Sequence, residues 1–197
     1  YANRIQLLFY TMTAAIFMTV TFPRISRLLA KGNNNEAMSY VKKGIVFTLT
    51  LSIPFSIGVL VFAREIVKVL LQRGAFGENS TNMTAACLVL YSVGIAFYGC
   101  REIFTRILSA KMKQKWIMRN TIISIIVNII ISVILAQFIG IAGIALGTSI
   151  SGIIACFLMV RDVAFSGLNV RGLIEPKDIG KLLVASGVSV GTGKILF

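Results

Sequence analysis

The chain of 197 residues has no histidine, one tryptophan, three prolines and three cysteines, and only seven acids stand against twenty Lys and Arg. Without histidine, serine–histidine hydrolysis is excluded. Cys87, Cys100 and Cys156 are scattered singly in apolar runs. Zinc sites of the usual spacing are therefore excluded too, and the thiols read as packing residues rather than ligands or disulfides. Charged residues of both signs make up 14% of the chain, against 56% hydrophobic. A soluble domain carries about a quarter charged residues, and one of this size has no interior large enough for the apolar excess, so lipid is the expected solvent. The net charge of +13 raises nucleic acid as a partner. The basic residues lie between apolar runs and not along one face, which argues against it.

The sequence is organised by uncharged runs: Ile5–Phe22, Gly44–Ala63, Asn79–Cys100, and Asn120–Val160, which is about twice the length of one crossing. The last divides at Phe138-Ile139-Gly140-Ile141-Ala142-Gly143, giving two helices in a tight hairpin. A further run begins at Leu182. The expected fold class is all-α, a polytopic transmembrane helical bundle of about five complete spans plus the start of a sixth, near residues 4–23, 44–63, 83–106, 118–137, 141–161 and 179–197. Because it opens and stops within apolar segments, it reads as a fragment of a longer membrane protein. Pro54, inside the second span, is expected to kink it. Residues 64–71 have the charge spacing of an amphipathic turn at the interface.

Lys and Arg in the connections set the orientation. Connections 24–43, 101–119 and 161–181 hold fifteen, and the intervening ones three (Arg64, Lys68, Arg73). The first set is expected to be cytoplasmic.

Two polar features fall inside the apolar runs. Arg4 heads the first. A helix that ends at Pro23 puts Arg4 near the outer surface, where an arginine snorkels to headgroups. A helix that runs on past Pro23 puts it nearer the middle, where a charge is costly and functional. Both depths stay open on sequence alone. Asn128 and Thr148 each lie about ten residues from a turn at Phe138–Ile139, close to mid-membrane, and Ser132 is one turn from Asn128. Interhelical hydrogen bonding accounts for this set, and so does a cation site of side-chain and carbonyl oxygens. Gly143 and Gly147 form a GxxxG match, read as helix packing.

The segments Tyr1-Ala-Asn-Arg4, Phe22-Pro-Arg-Ile-Ser-Arg27, Gln72-Arg-Gly-Ala-Phe76, Tyr91-Ser-Val-Gly94 and Gly140-Ile-Ala-Gly-Ile-Ala-Leu-Gly-Thr-Ser149 resemble the MurJ/MviN lipid II flippases, of the multidrug/oligosaccharidyl-lipid/polysaccharide exporter superfamily. The resemblance covers nearly the whole chain and places it in the C-terminal lobe, from about the eighth transmembrane helix into the thirteenth, without the N-terminal lobe. It implies a non-enzymatic function: flipping of an undecaprenyl-pyrophosphate-linked disaccharide pentapeptide across the bacterial plasma membrane by alternating access. The partners it implies are that anionic lipid-linked substrate, membrane lipids and the other lobe. Arg4 falls on the family's cavity arginine, and a planar guanidinium that keeps its proton suits a pyrophosphate. Thr11, two turns on, shares a face with Leu8 and Ala15 that would line a cavity wall. The acid that precedes this arginine in the family is Asn3 here. Some members bind Na+, and Asn128, Thr148 and the carbonyl of Ile144 fall on matching positions, with Ser132 where a carboxylate is expected. Two other readings stand beside this one: a related exporter of a polysaccharide repeat unit or a drug, and a non-transporting membrane scaffold for cell-wall enzymes.

Overall fold

The computed structural model describes residues 2–71, 77–170 and 173, with side chains in the first helix described at 2–4, 7, 11, 19 and from 21 onward. The described residues fold into six helices: α1 Ala2–Ala30, α2 Asn34–Leu71, α3 Glu78–Ser92, α4 Ile95–Ala110, α5 Gln114–Ile139 and α6 Ile141–Phe165. Among them α2, α5 and α6 are each long and apolar enough to cross a membrane, and α3 with α4 makes a fourth such unit, bent by 48°. The fold is an all-α transmembrane bundle. The expected sixth crossing, 179–197, lies outside the described residues, as do Gln72–Phe76.

Local chemistry sets the helix ends. α1 closes in a Schellman turn: Gly32 adopts φ 76°, its N–H donates to Leu29 O and the Asn33 N–H donates to Leu28 O. Asn33 then caps α2, its side chain accepting from the Glu36 N–H and donating to the Glu36 carboxylate. α4 closes the same way, but the left-handed residue is Met112, at φ 57°. The turn between α5 and α6 is one residue, Gly140, at φ 64°.

Packing divides into two apolar clusters, one at each end of the bundle. The first joins Ile25, Val41, Ile45, Ile103, Phe104, Leu108 and Met159, so the end of α1, the start of α2 and the ends of α4 and α6 meet. The second joins Ala2, Val59, Ala63, Val67, Leu88 and Ala145, so the start of α1, the second half of α2, α3 and the start of α6 meet. α5 reaches only the edge of the first, through the half-buried Trp116 and Ile117 at its start. It packs chiefly on α6, and its opposite face exposes Ile122, Ile126, Ile129 and Val133.

Two sequence expectations need correction. Pro54 lies inside α2, but the non-helical backbone falls at Phe62 (φ −113°, ψ 21°). A membrane helix tolerates one missing donor when neighbours satisfy the freed group. Residues 64–71 continue α2 as helix beyond that bend, as their spacing predicts. Finally, the single crossing expected at 83–106 is broken at Val93–Gly94. The break exposes carbonyls that have no water to turn to, and hydroxyls from other helices supply donors: Ser149 to Leu90 O at 2.7 Å and Ser56 to Ser92 O at 2.9 Å. Gly94 makes room, since a Cβ there would lie 3.1 Å from Ser149 Cα.

Candidate functional site

α5 and α6 approach closely because α6 presents glycine to α5. A Cβ at Gly143 would lie 2.3 Å from Leu135 O, and one at Gly147 would lie 2.6 Å from Ser132 Oγ. This contact seats a chain of hydrogen bonds. Ser132 Oγ donates to Asn128 Oδ1 at 3.2 Å, and Asn128 Nδ2 donates to Ser151 Oγ at 2.9 Å. Ser151 Oγ and the Tyr98 hydroxyl both donate to Thr148 O, at 2.8 and 2.9 Å. The Thr148 hydroxyl donates to Ile144 O at 2.9 Å.

Sequence reasoning pairs Asn128 with Thr148, and the structure pairs it with Ser151. The turn lies at Gly140, beyond Phe138–Ile139, so Asn128 is twelve residues before it, Ser151 eleven after and Thr148 only eight after. All the expected oxygens are brought into one network, but each is neutral and already engaged inside it. Asn128 Oδ1 accepts from Ser132, and Ile144 O accepts from Thr148, so the expected cation set divides into two bonded pairs joined through Ser151. Among the described residues no group of three or more acids or cysteines could hold a metal.

Arg4 is exposed on the first turn of α1, and Thr11 is exposed two turns on, its hydroxyl donating to Leu7 O at 2.7 Å. The side chains of Leu8 and Ala15, expected on the same face, lie outside the described residues. α1 continues through Pro23 to Ala30, which is the condition for the deeper of the two positions considered for Arg4.

Two further polar groups escaped sequence reasoning. Asp162, near the end of α6, is buried, with Arg119 Nη2 donating to it at 2.6 Å and Asn120 Nδ2 at 3.0 Å, while Arg161 Nη2 lies 3.4 Å from its other oxygen. A lone acid in a basic connection gives no sign of burial. Its signal was spacing: Asp162 follows Met159 by one helical turn on the buried stripe of α6. The second is Arg101, on α4, whose Nε is buried without an acceptor. It lines a cavity of about 330 Å³ with Tyr98, Thr121, Ser124, Asn128 and Ser151. Gly152 gives Tyr98 its place there, since a Cβ would lie 2.6 Å from the ring.

In the turn beside Asp162, Lys111 Nζ donates to Ser166 O at 3.0 Å, covering a carbonyl at the end of α6. Burial pushes the Lys111 ammonium below its usual range, and neighbouring Lys113 adds to the shift.

The profile of the family "Lipid II flippase MurJ" matches residues 1–192. A probable lipid II flippase MurJ of Helicobacter pylori (strain J99) is 29% identical over 175 residues, 89% of this chain and 38% of the relative. The lipid II flippase MurJ of Thermosipho africanus is 31% identical over 165 residues, 83% of this chain and 33% of the relative. A solved lipid II flippase MurJ in an inward closed conformation superposes with a TM-score of 0.82 at 26% identity, covering 100% of this chain and 40% of that one. The chain thus spans roughly a third to two fifths of the length of these relatives. The match over 1–192 and the superposition of the whole bundle converge on one assignment: this chain belongs to the MurJ lipid II flippase family.

Proposed function

We propose that this chain is the C-terminal-lobe part of a flippase that moves lipid II, the undecaprenyl-pyrophosphate-linked disaccharide pentapeptide, across the bacterial plasma membrane. The observation that carries the proposal is the family match along nearly the whole chain. The two lobes alternate access to a central cavity, with no covalent step. Arg4 supplies a fork of donors to the pyrophosphate and keeps its charge at any physiological pH. Thr11 lies two turns on along the same helix. Connections 24–43, 101–119 and 161–181 face the cytoplasm, in keeping with their fifteen basic residues.

The test uses the full-length protein in cells depleted of their own flippase. Arg4→Ala is expected to express normally and fail to restore growth, with lipid II held on the cytoplasmic side. Arg4→Lys keeps the charge and loses the planar fork, so partial rescue is expected. Full rescue by well-expressed Arg4→Ala would remove the cavity role.

A further inference from the structure

We infer that the cavity around Arg101, between α4, α5 and α6, binds the phosphate of a lipid headgroup. It is separate from Arg4, and the inference stands whether or not the chain flips lipid II.

The walls decide the charge of the ligand. Tyr98, Ser151 and Ser124 line the cavity and each spends its hydroxyl hydrogen on a backbone acceptor, Thr148 O, Thr148 O and Asn120 O in turn, while Asn128 spends one of its two amide hydrogens on Ser151 Oγ. Arg101 has no such outlet. Its Nε has no acceptor, and it forms no ion pair among the described residues. A charge in a membrane-spanning segment faces the bundle interior or a cavity and pairs there, and the fork of donors on a guanidinium matches phosphate geometry. The cavity, at about 330 Å³, has room for a phosphate with its substituents.

Depth and surroundings decide its source. The first charges beyond the cavity are Arg119 on α5 and Arg161 on α6. Thr121 lies two residues from the one and Ala155 six from the other, about 3 and 9 Å along the helices. The cavity therefore opens within two turns of the membrane surface, within reach of lipid phosphates. Ile125 and Ile129 form its lip and are 53% and 58% exposed, and Val133 continues the stripe. A lipid whose phosphate meets Arg101 lays its chain along this face of α5. The requirement is shared by two sources, an anionic phospholipid and an isoprenyl pyrophosphate.

Native mass spectrometry of the full-length protein, purified and delipidated, separates them. The probes are phosphatidylglycerol, farnesyl pyrophosphate and, as a neutral control, diacylglycerol. Arg101→Gln is expected to lose one bound phosphate lipid, with about tenfold lower occupancy, as for loss of one charge-assisted contact. Arg101→Lys is expected to lose less, and diacylglycerol is expected to show no dependence on residue 101. Loss confined to phosphatidylglycerol identifies a phospholipid site, and loss confined to farnesyl pyrophosphate a substrate-class site. If Arg101→Gln fails to fold, Ile129→Trp decides, because it plugs the lip and leaves the charge. Unchanged binding of both phosphate probes, in Arg101→Gln or failing that in Ile129→Trp, overturns the inference and makes Arg101 the partner of a carboxylate elsewhere in the protein.

Discussion

Asn128 donates from its amide to the Ser151 hydroxyl at 2.9 Å, and this bond ties the middle of α5 to the middle of α6. Interhelical hydrogen bonds of this kind contribute about 0.6 kcal/mol on average and reach about 1.7 kcal/mol. Asn128→Ala breaks the bond to Ser151 and frees Ser132, so a loss of about 1 kcal/mol is expected in thermal unfolding of the purified protein. Ser151→Ala should cost a similar amount, and the double variant less than the sum of the two. If the two losses simply added, the pair would not be coupled.

Backbone proximity makes a sharper demand at Gly143. A methyl there meets the backbone carbonyl of Leu135, which cannot rotate away, so Gly143→Ala should separate α5 from α6 at a cost of about 1–3 kcal/mol. Gly58, inside α2, has nothing within 4 Å of the same added atom. Gly58→Ala should raise stability by about 0.5–1 kcal/mol. Paired melting curves check both signs at once.

The ion pair at Asp162 is unequal in burial. Its carboxylate side chain is 2% exposed and the Arg119 side chain 50%. Removing Arg119 leaves a buried charge with Asn120 and a longer contact to Arg161, whereas Asp162→Asn leaves a half-exposed guanidinium that water can solvate. Arg119→Ala should therefore destabilise more than Asp162→Asn, with the penalty for either screened in part by solvent. The order of the two melting temperatures checks this.

Lys111 gives a pH signature. Its folded pKa lies below the ordinary 10.5, so between those two values the unfolded chain binds more protons and stability rises with pH. Alkaline titration of the melting temperature should show this rise, and Lys111→Met should lack it.

Orientation can be read by cysteine labelling in a cysteine-free full-length protein. Gly140→Cys should react with an impermeant thiol reagent from outside, and Lys113→Cys only after the cells are opened. The reverse pattern would invert the topology drawn from the charge bias.

The bundle was visible in the sequence because a bilayer forces long uncharged runs, and the 41 residues of Asn120–Val160 leave room for little besides two helices. The break at Val93–Gly94 was not visible. The run from Asn79 to Cys100 is uniformly uncharged, and the hydroxyls that make the break tolerable, Ser56 and Ser149, come from distant helices. The partner of Asn128 depended on the position of the turn, and an offset of two residues moved it from Thr148 to Ser151. Arg101 was counted among the loop charges because it is the first charge after a run. Only the fold shows α5 and α6 enclosing it.

The one-residue turn at Gly140 bears on how the protein is made. Residues 120–160 offer the translocation machinery two apolar helices with no polar loop between them to pass across separately. A turn this short is expected to bring α5 and α6 into the bilayer as a single hairpin, with their glycine-lined contact and the Asn128–Ser151 bond within reach from the start. A longer polar insertion at Gly140 would divide this one event into two, and the cell would register it first as slower insertion and increased proteolysis, before any defect in transport.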